Sequence, residues 1–384
     1  MNKTIVIGTI GVIIVVISVI AFVNTTTHVS SPAKSSVNLV SSPSANFILS
    51  PVQAEASTGV QGYTVGVWAE LNNLSGIAPM GTIPSYYLDN LSQNLGVTFG
   101  EVLVHNSSSY AVSLVSKVTS ENVTNYFRKL ALILVAGYNF NVNKSGNLEY
   151  VYGNISSYGI ATGYDGKYLV AIVVKGVNDP AQSALNLFMN QYQDAVTSGV
   201  GLVSPPSIFS SVPDMKIAYW SYVNYTALHQ LNYTDILGLG NFNGFGMYHF
   251  KNFNQYGMMG GQGHYYGNLT LNVSTGYLAV YANSSSLLTV QVTQFKTQQD
   301  AQNKYNQLLS NYEMIKNITG MNAIVTQGNI DGAPYFVANP YPINNNTLVL
   351  GSVSGQYLVL ELNYAKVASQ SLLTGYLQGL LSEL

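Results

Sequence analysis

The stretch NSSSYAVSLVSKV, at residues 106–118, decides the predicted fold. A turn-forming Asn-Ser-Ser-Ser segment is followed by a run in which apolar and polar residues alternate. Alternation of this kind predicts a β-strand with one buried face. A second run of the same type, residues 96–104, precedes the turn. The stretch therefore predicts two strands that flank a turn.

The same pattern recurs later in the chain, where Asn-Ser-Ser-Ser at residues 283–286 is again followed by an alternating run. Other short motifs recur in the same order, including the only two tryptophans, Trp68 in Val-Trp-Ala and Trp220 in Tyr-Trp-Ser. Repetition in register indicates an internal duplication. We therefore predict a first copy at residues 60–200 and a second at 215–384, joined by a Pro- and Gly-containing linker at 201–214.

Each copy predicts the same elements, in the order β-β-α-β-β-α. The first helix shows apolar residues at helical spacing in Val123, Phe127 and Leu130. The last helix of the first copy begins at Pro180, and that of the second copy covers residues 365–384. The predicted fold class is α+β, with a mostly antiparallel sheet and helices on one face in each tandem copy.

The N-terminal region predicts a membrane anchor. Residues 5–23 contain no charged side chain, and a helix of this length spans roughly 28 Å, close to the hydrocarbon thickness of a bilayer. We interpret residues 1–24 as a retained transmembrane signal anchor, with a cleaved signal peptide as the alternative. Lys3 on the short side places the N terminus in the cytosol and the bulk of the chain outside a single-pass cell-membrane span. The Ser-, Thr- and Pro-rich residues 25–59 predict a stalk.

The composition predicts an acidic medium, with drift toward a neutral Asn- and Ser-rich surface as the alternative, and it excludes several classes of site. Charged residues make up 8% of the chain, so few carboxylates are available to be protonated in acid at a cost in stability. A net charge of -2 gives no electrostatic footprint for nucleic acid. Because the chain has no cysteine, thiolate metal sites, iron-sulfur clusters and disulfides are excluded.

Asn-x-Ser/Thr sequons occur throughout the chain and predict N-linked glycans on exposed loops. The first lies at Asn24, beside the predicted anchor. The others are Asn73, Asn90, Asn106, Asn122, Asn143, Asn154, Asn224, Asn232, Asn268, Asn272, Asn283, Asn317 and Asn345.

The second copy carries a Gly-, Asn-, Met- and His-rich insertion at about residues 236–264. Thioether and imidazole ligands suit soft metals such as copper. The candidate metal ligands are Met247, His249, Met258, Met259 and His264. Two other interpretations stay open, an aromatic contact surface for a protein partner or glycan and a flexible loop. The sequence implies no other cofactor.

The sequence favours a protein without enzymatic activity. It has no Gly-x-Ser-x-Gly elbow, and Asp165-Gly and Asp331-Gly are ordinary tight-turn signals. The anchor, stalk, sequons and scarce charge together resemble surface glycoproteins of thermoacidophilic archaea. This resemblance implies a membrane-anchored extracellular glycoprotein that binds an envelope protein or a glycan. The alternatives are an extracellular protein that handles metals or small solutes, using the insertion, and a filament subunit.

Overall fold

The computed structural model describes residues 45–72, 94–209, 211–228, 272–319, 325–339 and 346–384. Every helix, strand and contact given below lies within these ranges. The predicted anchor at residues 1–24 and the insertion at 236–264 lie outside them.

The described residues form fourteen strands and six helices. The strands are β1 (Thr64–Leu71), β2 (Leu95–Val104), β3 (Tyr110–Val118), β4 (Asn141–Ser145), β5 (Leu148–Ile155), β6 (Tyr158–Tyr164), β7 (Tyr168–Lys175), β8 (Lys216–Asn224), β9 (Val273–Ala282), β10 (Ser286–Phe295), β11 (Val325–Ile330), β12 (Ala333–Ala338), β13 (Thr347–Ser354) and β14 (Tyr357–Ala365). The helices are α1 (Pro51–Thr58), α2 (Asn122–Tyr138), α3 (Pro180–Ser198), α4 (Tyr225–Leu228), α5 (Gln298–Thr319) and α6 (Gln370–Leu381).

All fourteen strands belong to one sheet, in the order β11-β12-β13-β14-β10-β9-β8-β1-β2-β3-β7-β6-β5-β4. Every neighbouring pair is antiparallel. Strands β1 and β8 lie side by side at the middle, with Trp68 opposite Tyr222 and Glu70 opposite Trp220. The two Asn-Ser-Ser-Ser turns make the same bonds, because Asn106 Oδ1 accepts from the Ser108 backbone N–H and Asn283 Oδ1 from that of Ser285.

The predicted fold class, a transmembrane helix followed by two tandem β-β-α-β-β-α domains, is wrong. The β1–β8 pairing merges the strands on either side of it into a single sheet, and each side contributes seven strands. The helices also cover both faces of the sheet instead of one. The described residues are therefore mostly sheet, with few helices.

The sheet separates two main apolar cores. One face, here called face A, packs against α3 and α6 through Phe188 and Leu377, among others. The other, face B, packs against α2 and α5 through Phe127 and Tyr305. Since both faces are covered, the central strands are buried on both sides, and β1 is buried at six consecutive positions, Gly66 to Leu71.

Two segments outside the sheet cover the middle of face A. The first is residues 45–59, at the end of the predicted stalk, where Phe47 and Leu49 are buried and α1 begins with a Ser50 capping box. The second lies in the predicted linker, where Val203 and Ile208 are buried in the same core.

None of the helices in the described ranges is both long and apolar enough to cross a membrane. This finding contradicts the predicted single-pass location, with a cytosolic N terminus and an extracellular body. Residues 5–23, on which that prediction depended, lie outside the described ranges.

Candidate functional site at the centre of the sheet

Two glutamates are buried on face A where the central strands meet. Residues two apart on a strand point to the same face, so β1 places Trp68 and Glu70 together on face A. The strand register sets Glu101 of β2 opposite Trp68, and Trp220 of β8 opposite Glu70. The pairing of β8, β1 and β2 therefore brings two carboxyls and both tryptophans into one cluster.

Each carboxyl in this cluster accepts a hydrogen bond from an indole on a neighbouring strand. Trp68 Nε1 donates to Glu101 Oε1 at 2.8 Å, and Trp220 Nε1 donates to Glu70 Oε1 at 3.2 Å. An indole N–H is a donor only, so each tryptophan requires an acceptor when buried. The glutamates supply that acceptor.

The two segments that cover the middle of face A also contact the cluster. The Val203 backbone N–H donates to Glu70 Oε2 at 2.6 Å. The Phe47 ring meets Phe99 edge-on at 6.1 Å between centroids, and Phe99 meets Trp220 at 6.2 Å. Both glutamates are only 1% exposed. The carboxyls are thus enclosed by protein atoms on every described side.

Burial raises the pKa of both carboxyls, because a charged carboxylate is poorly solvated in the protein interior. For Glu101 burial raises the pKa to about 8, against partial lowering by the Trp68 indole and the Leu49 backbone N–H. The Leu49 N–H does not reach ordinary hydrogen-bond geometry with this carboxyl, because Glu101 Oε2 has no hydrogen-bond partner among the described residues. Burial also raises the pKa of Glu70, although Val203, Asn72 and Trp220 all donate toward it and lower the pKa in part.

A third buried carboxyl lies on β14. Glu361 is 1% exposed and is paired in register with Val290 on β10 and Leu350 on β13. Neither of its oxygens has a hydrogen-bond partner in the described part of the chain. Burial raises the pKa of Glu361 well above its usual range.

The geometry of this cluster allows its carboxyls to keep their protons. A glutamate whose pKa is raised stays protonated and neutral over a pH range in which an exposed glutamate is ionised. Because indoles, backbone and aromatic rings surround Glu70 and Glu101, each only 1% exposed, the described part of the chain leaves neither carboxyl open to a substrate. Sequence reasoning missed these residues. The available signal was a single glutamate inside an otherwise apolar strand, as in VWAEL, FGEVL and LVLEL.

The candidate metal ligands all fall outside the described residues, so their metal binding stays a prediction. These ligands are Met247, His249, Met258, Met259 and His264. In the described ranges, no group of three or more His, Cys, Asp or Glu side chains could hold a metal ion.

Several predicted glycosylation sites lie on the described surface. Asn122 at the start of α2, Asn143 on β4 and Asn154 on β5 are exposed, as are Asn272 and Asn283. Asn106 and Asn224 are partly buried and accept backbone hydrogen bonds, and Asn317 lies in α5. The sites outside the described residues are Asn24, Asn73, Asn90, Asn232, Asn268 and Asn345. Modification at each of these positions stays a prediction.

Solved structures, but no protein-family model or curated sequence, are similar to this chain. No protein-family model matches the chain, and no curated protein matches it in sequence. Three solved structures of TP0453 are similar to it, each with 11% sequence identity. Crystal forms IV, I and III give TM-scores of 0.35, 0.32 and 0.34. The matched regions cover 84%, 84% and 88% of this chain, and 96%, 96% and 99% of the TP0453 chains. Similarity at this level carries no argument about function.

Proposed function

We propose that this protein is a non-enzymatic binding or interaction protein adapted to an acidic medium. The observation that carries the proposal is the buried pair Glu70 and Glu101, held by tryptophan indoles at the centre of the sheet. Carboxyls in this environment stabilise the fold when they are protonated, which is their state in acid.

The effect of pH follows from the direction of the shifts. An unfolded glutamate titrates near 4.5, whereas folding raises the pKa of Glu101 to about 8. Between these values the folded protein binds a proton that the unfolded chain has released. The contribution of Glu101 to the free energy of unfolding is therefore fully present below about pH 4.5. It is lost as pH rises toward 8, which lowers the free energy of unfolding by roughly 3–5 kcal/mol. Glu70 and Glu361 act in the same direction.

The ion pairs of the protein are consistent with this proposal. Within the described ranges only two salt bridges occur, Arg128–Glu149 and Lys144–Glu149, and both use the same carboxylate. Protonating Glu149 in acid thus removes only partly exposed pairs, which contribute little to stability. Acid has few ionic contacts to break in this part of the chain.

Urea unfolding at several pH values between about 3 and 8.5 tests the proposal. We expect the free energy of unfolding to be highest in acid and to decline through neutral pH. A protein that is markedly less stable at pH 3 than at pH 7 would contradict the acidic adaptation. A purified chain that turns over a substrate would contradict the non-enzymatic assignment independently of the pH profile.

We also propose that exposed sequons carry glycans in the native protein. The exposure of Asn122, Asn154 and Asn283 supports this, because an oligosaccharide attached there can extend into solvent without displacing the core. Intact mass before and after enzymatic deglycosylation is the test. A native mass equal to that of the unmodified chain rejects the proposal.

A further inference from the structure

Among the described residues, the sheet ends at two edge strands, β4 and β11. Within the described ranges, β4 pairs with β5 alone and β11 with β12 alone. Both pairings run without a register shift, and neither edge strand contains proline. Each edge therefore presents a straight row of backbone N–H and C=O groups that can pair with another strand.

The number of strands makes the two edges complementary in direction. Fourteen strands that alternate in direction leave the first and last, β11 and β4, antiparallel to each other. A second copy that continues the sheet, rotated by the accumulated strand twist, thus brings its β11 antiparallel to β4. The hydrogen-bond pattern of the sheet would continue across that boundary without a change of type.

The charged side chains described on face B near the two edges differ in sign. At the β4 edge, Arg128 and Lys144 both pair with one carboxylate, Glu149, at 3.1 and 3.5 Å, which leaves a net positive charge. At the β11 edge, Glu313 of α5 accepts a hydrogen bond from Gln327. In the described part of the chain Glu313 forms no salt bridge.

The helices that flank the two edges lie on the same face. Both α2, beside β4, and α5, beside β11, pack in the face B core. A head-to-tail neighbour would therefore set Glu313 near Lys144 and Arg128. Two β4 edges meeting each other would instead bring two positive clusters together, which is unfavourable.

We propose that the β4 edge of one copy pairs with the β11 edge of a second copy, extending the sheet head to tail. An interface of this heterologous type leaves a free edge at each end, so copies can add in series. The proposal goes beyond the proposed function and is tested at neutral pH, where surface carboxylates carry their charge. Lys144, which on an isolated edge discourages pairing, would here face the partner's Glu313.

Crosslinking tests the pairing, because the chain has no cysteine of its own. Val142 on β4 and Gln327 on β11 both lie on face B, opposite Val151 and Phe336 respectively. We expect a mixture of the Val142→Cys and Gln327→Cys variants to form a dimer with a short bismaleimide crosslinker, at several times the level of either variant alone. A Ser157→Cys variant, in the β5–β6 turn, measures crosslinking by random collision.

Three results would overturn the proposal. The mixture could crosslink no more than the Ser157→Cys control, or Val142→Cys alone could crosslink as well as the mixture, which indicates a symmetric pairing. Full glycosylation of Asn143 in the native protein also counts against it, because a glycan at the middle of β4 would crowd a neighbouring strand. None of these results depends on the pH profile of unfolding.

A charge swap tests the same contact without crosslinking. We expect Glu313→Lys to weaken self-association several-fold in sedimentation measurements at low salt, because it places like charges together. The double variant Lys144→Glu/Glu313→Lys should recover most of the loss. Equal association by all three proteins would contradict the charge contact.

Discussion

Trp220 donates its indole N–H to Glu70 across the boundary between β8 and β1. These two strands are distant in sequence, and their pairing makes one sheet of the whole described fold. The second oxygen of Glu70 accepts from Val203, in the segment that covers this boundary. A single buried carboxyl therefore links the two central strands to the segment above them.

Replacing Glu101 with glutamine should flatten the dependence of stability on pH. The Glu101→Gln side chain keeps an oxygen that can accept from Trp68 but has no proton to lose as pH rises. We expect the fall in the free energy of unfolding between about pH 5 and 8 to shrink by roughly 3–5 kcal/mol. Urea unfolding of both proteins across that range measures the difference.

The control for this variant is Glu149→Gln. Glu149 is partly exposed and pairs with Arg128, which lowers the pKa of its carboxyl. The contribution of Glu149 to the free energy of unfolding is lost as pH falls, the reverse of the Glu101 contribution. The decline in the free energy of unfolding above pH 5 should therefore remain in Glu149→Gln. An unchanged decline in Glu101→Gln would show that another group is responsible.

The two indole N–H groups should report the titration of the buried carboxyls directly. Trp68 and Trp220 are the only tryptophans, so a protein labelled with ¹⁵N-tryptophan gives two indole signals. We expect the Trp68 signal to shift with a midpoint near pH 8, because its acceptor is Glu101, whose pKa burial raises to about 8. The Trp220 signal should shift above the usual glutamate range, following Glu70.

A Trp68→Phe variant assigns the two signals by removing one of them. Midpoints near 4.5 for both would show that Glu70 and Glu101 titrate as exposed glutamates do. That result would contradict the protonated state on which the proposed function depends.

Replacing Glu361 with leucine should stabilise the protein at neutral pH. Its carboxyl is buried with both oxygens unpaired in the described part of the chain, and its cross-strand neighbours are Val290 and Leu350. Burying an unpaired polar group costs free energy that an apolar side chain of similar size does not. We expect Glu361→Leu to raise the free energy of unfolding by about 1–3 kcal/mol.

Glu70→Leu is the matched comparison, since it also removes a buried carboxyl from face A. It should destabilise the protein by about 2–4 kcal/mol, because it leaves the Trp220 indole and the Val203 N–H without an acceptor. If Glu361→Leu destabilises the protein as much as Glu70→Leu does, Glu361 has a partner outside the described residues.

Local elements were predictable from the sequence where a strong local signal exists. The strand predicted at residues 110–118 is β3 as observed, and the helix predicted from Pro180 begins there, with Asp179 accepting from the Gln182 backbone N–H. The turn role of Asp165 is confirmed, since its Oδ1 accepts from two backbone N–H groups in the β6–β7 connection. Each of these signals depends on residues close together in the chain.

The features that the sequence did not reveal depend on distant pairing or lack an apolar pattern. Strand β4 has five exposed residues, so no alternation marked it as a strand. The β1–β8 pairing joins strands whose local sequences contain nothing that specifies each other. The carboxyl cluster follows from that pairing, which explains why Glu70 and Glu101 were not predicted as a site.

Two glycine-to-alanine variants should have opposite effects, because the added methyl group meets backbone at one position and open space in a helix at the other. A Cβ at Gly159, on β6, would lie 1.8 Å from the carbonyl oxygen of Pro180 at the start of α3. Backbone cannot yield there without displacing the helix, so Gly159→Ala should destabilise the protein by about 3 kcal/mol or more. At Gly375, within α6, a Cβ would meet nothing within 4 Å, and alanine favours the helix by about 0.5–1 kcal/mol. Thermal and urea unfolding of both variants measure the contrast; equal effects would show that α3 does not approach β6 as closely as its Pro180 contact requires.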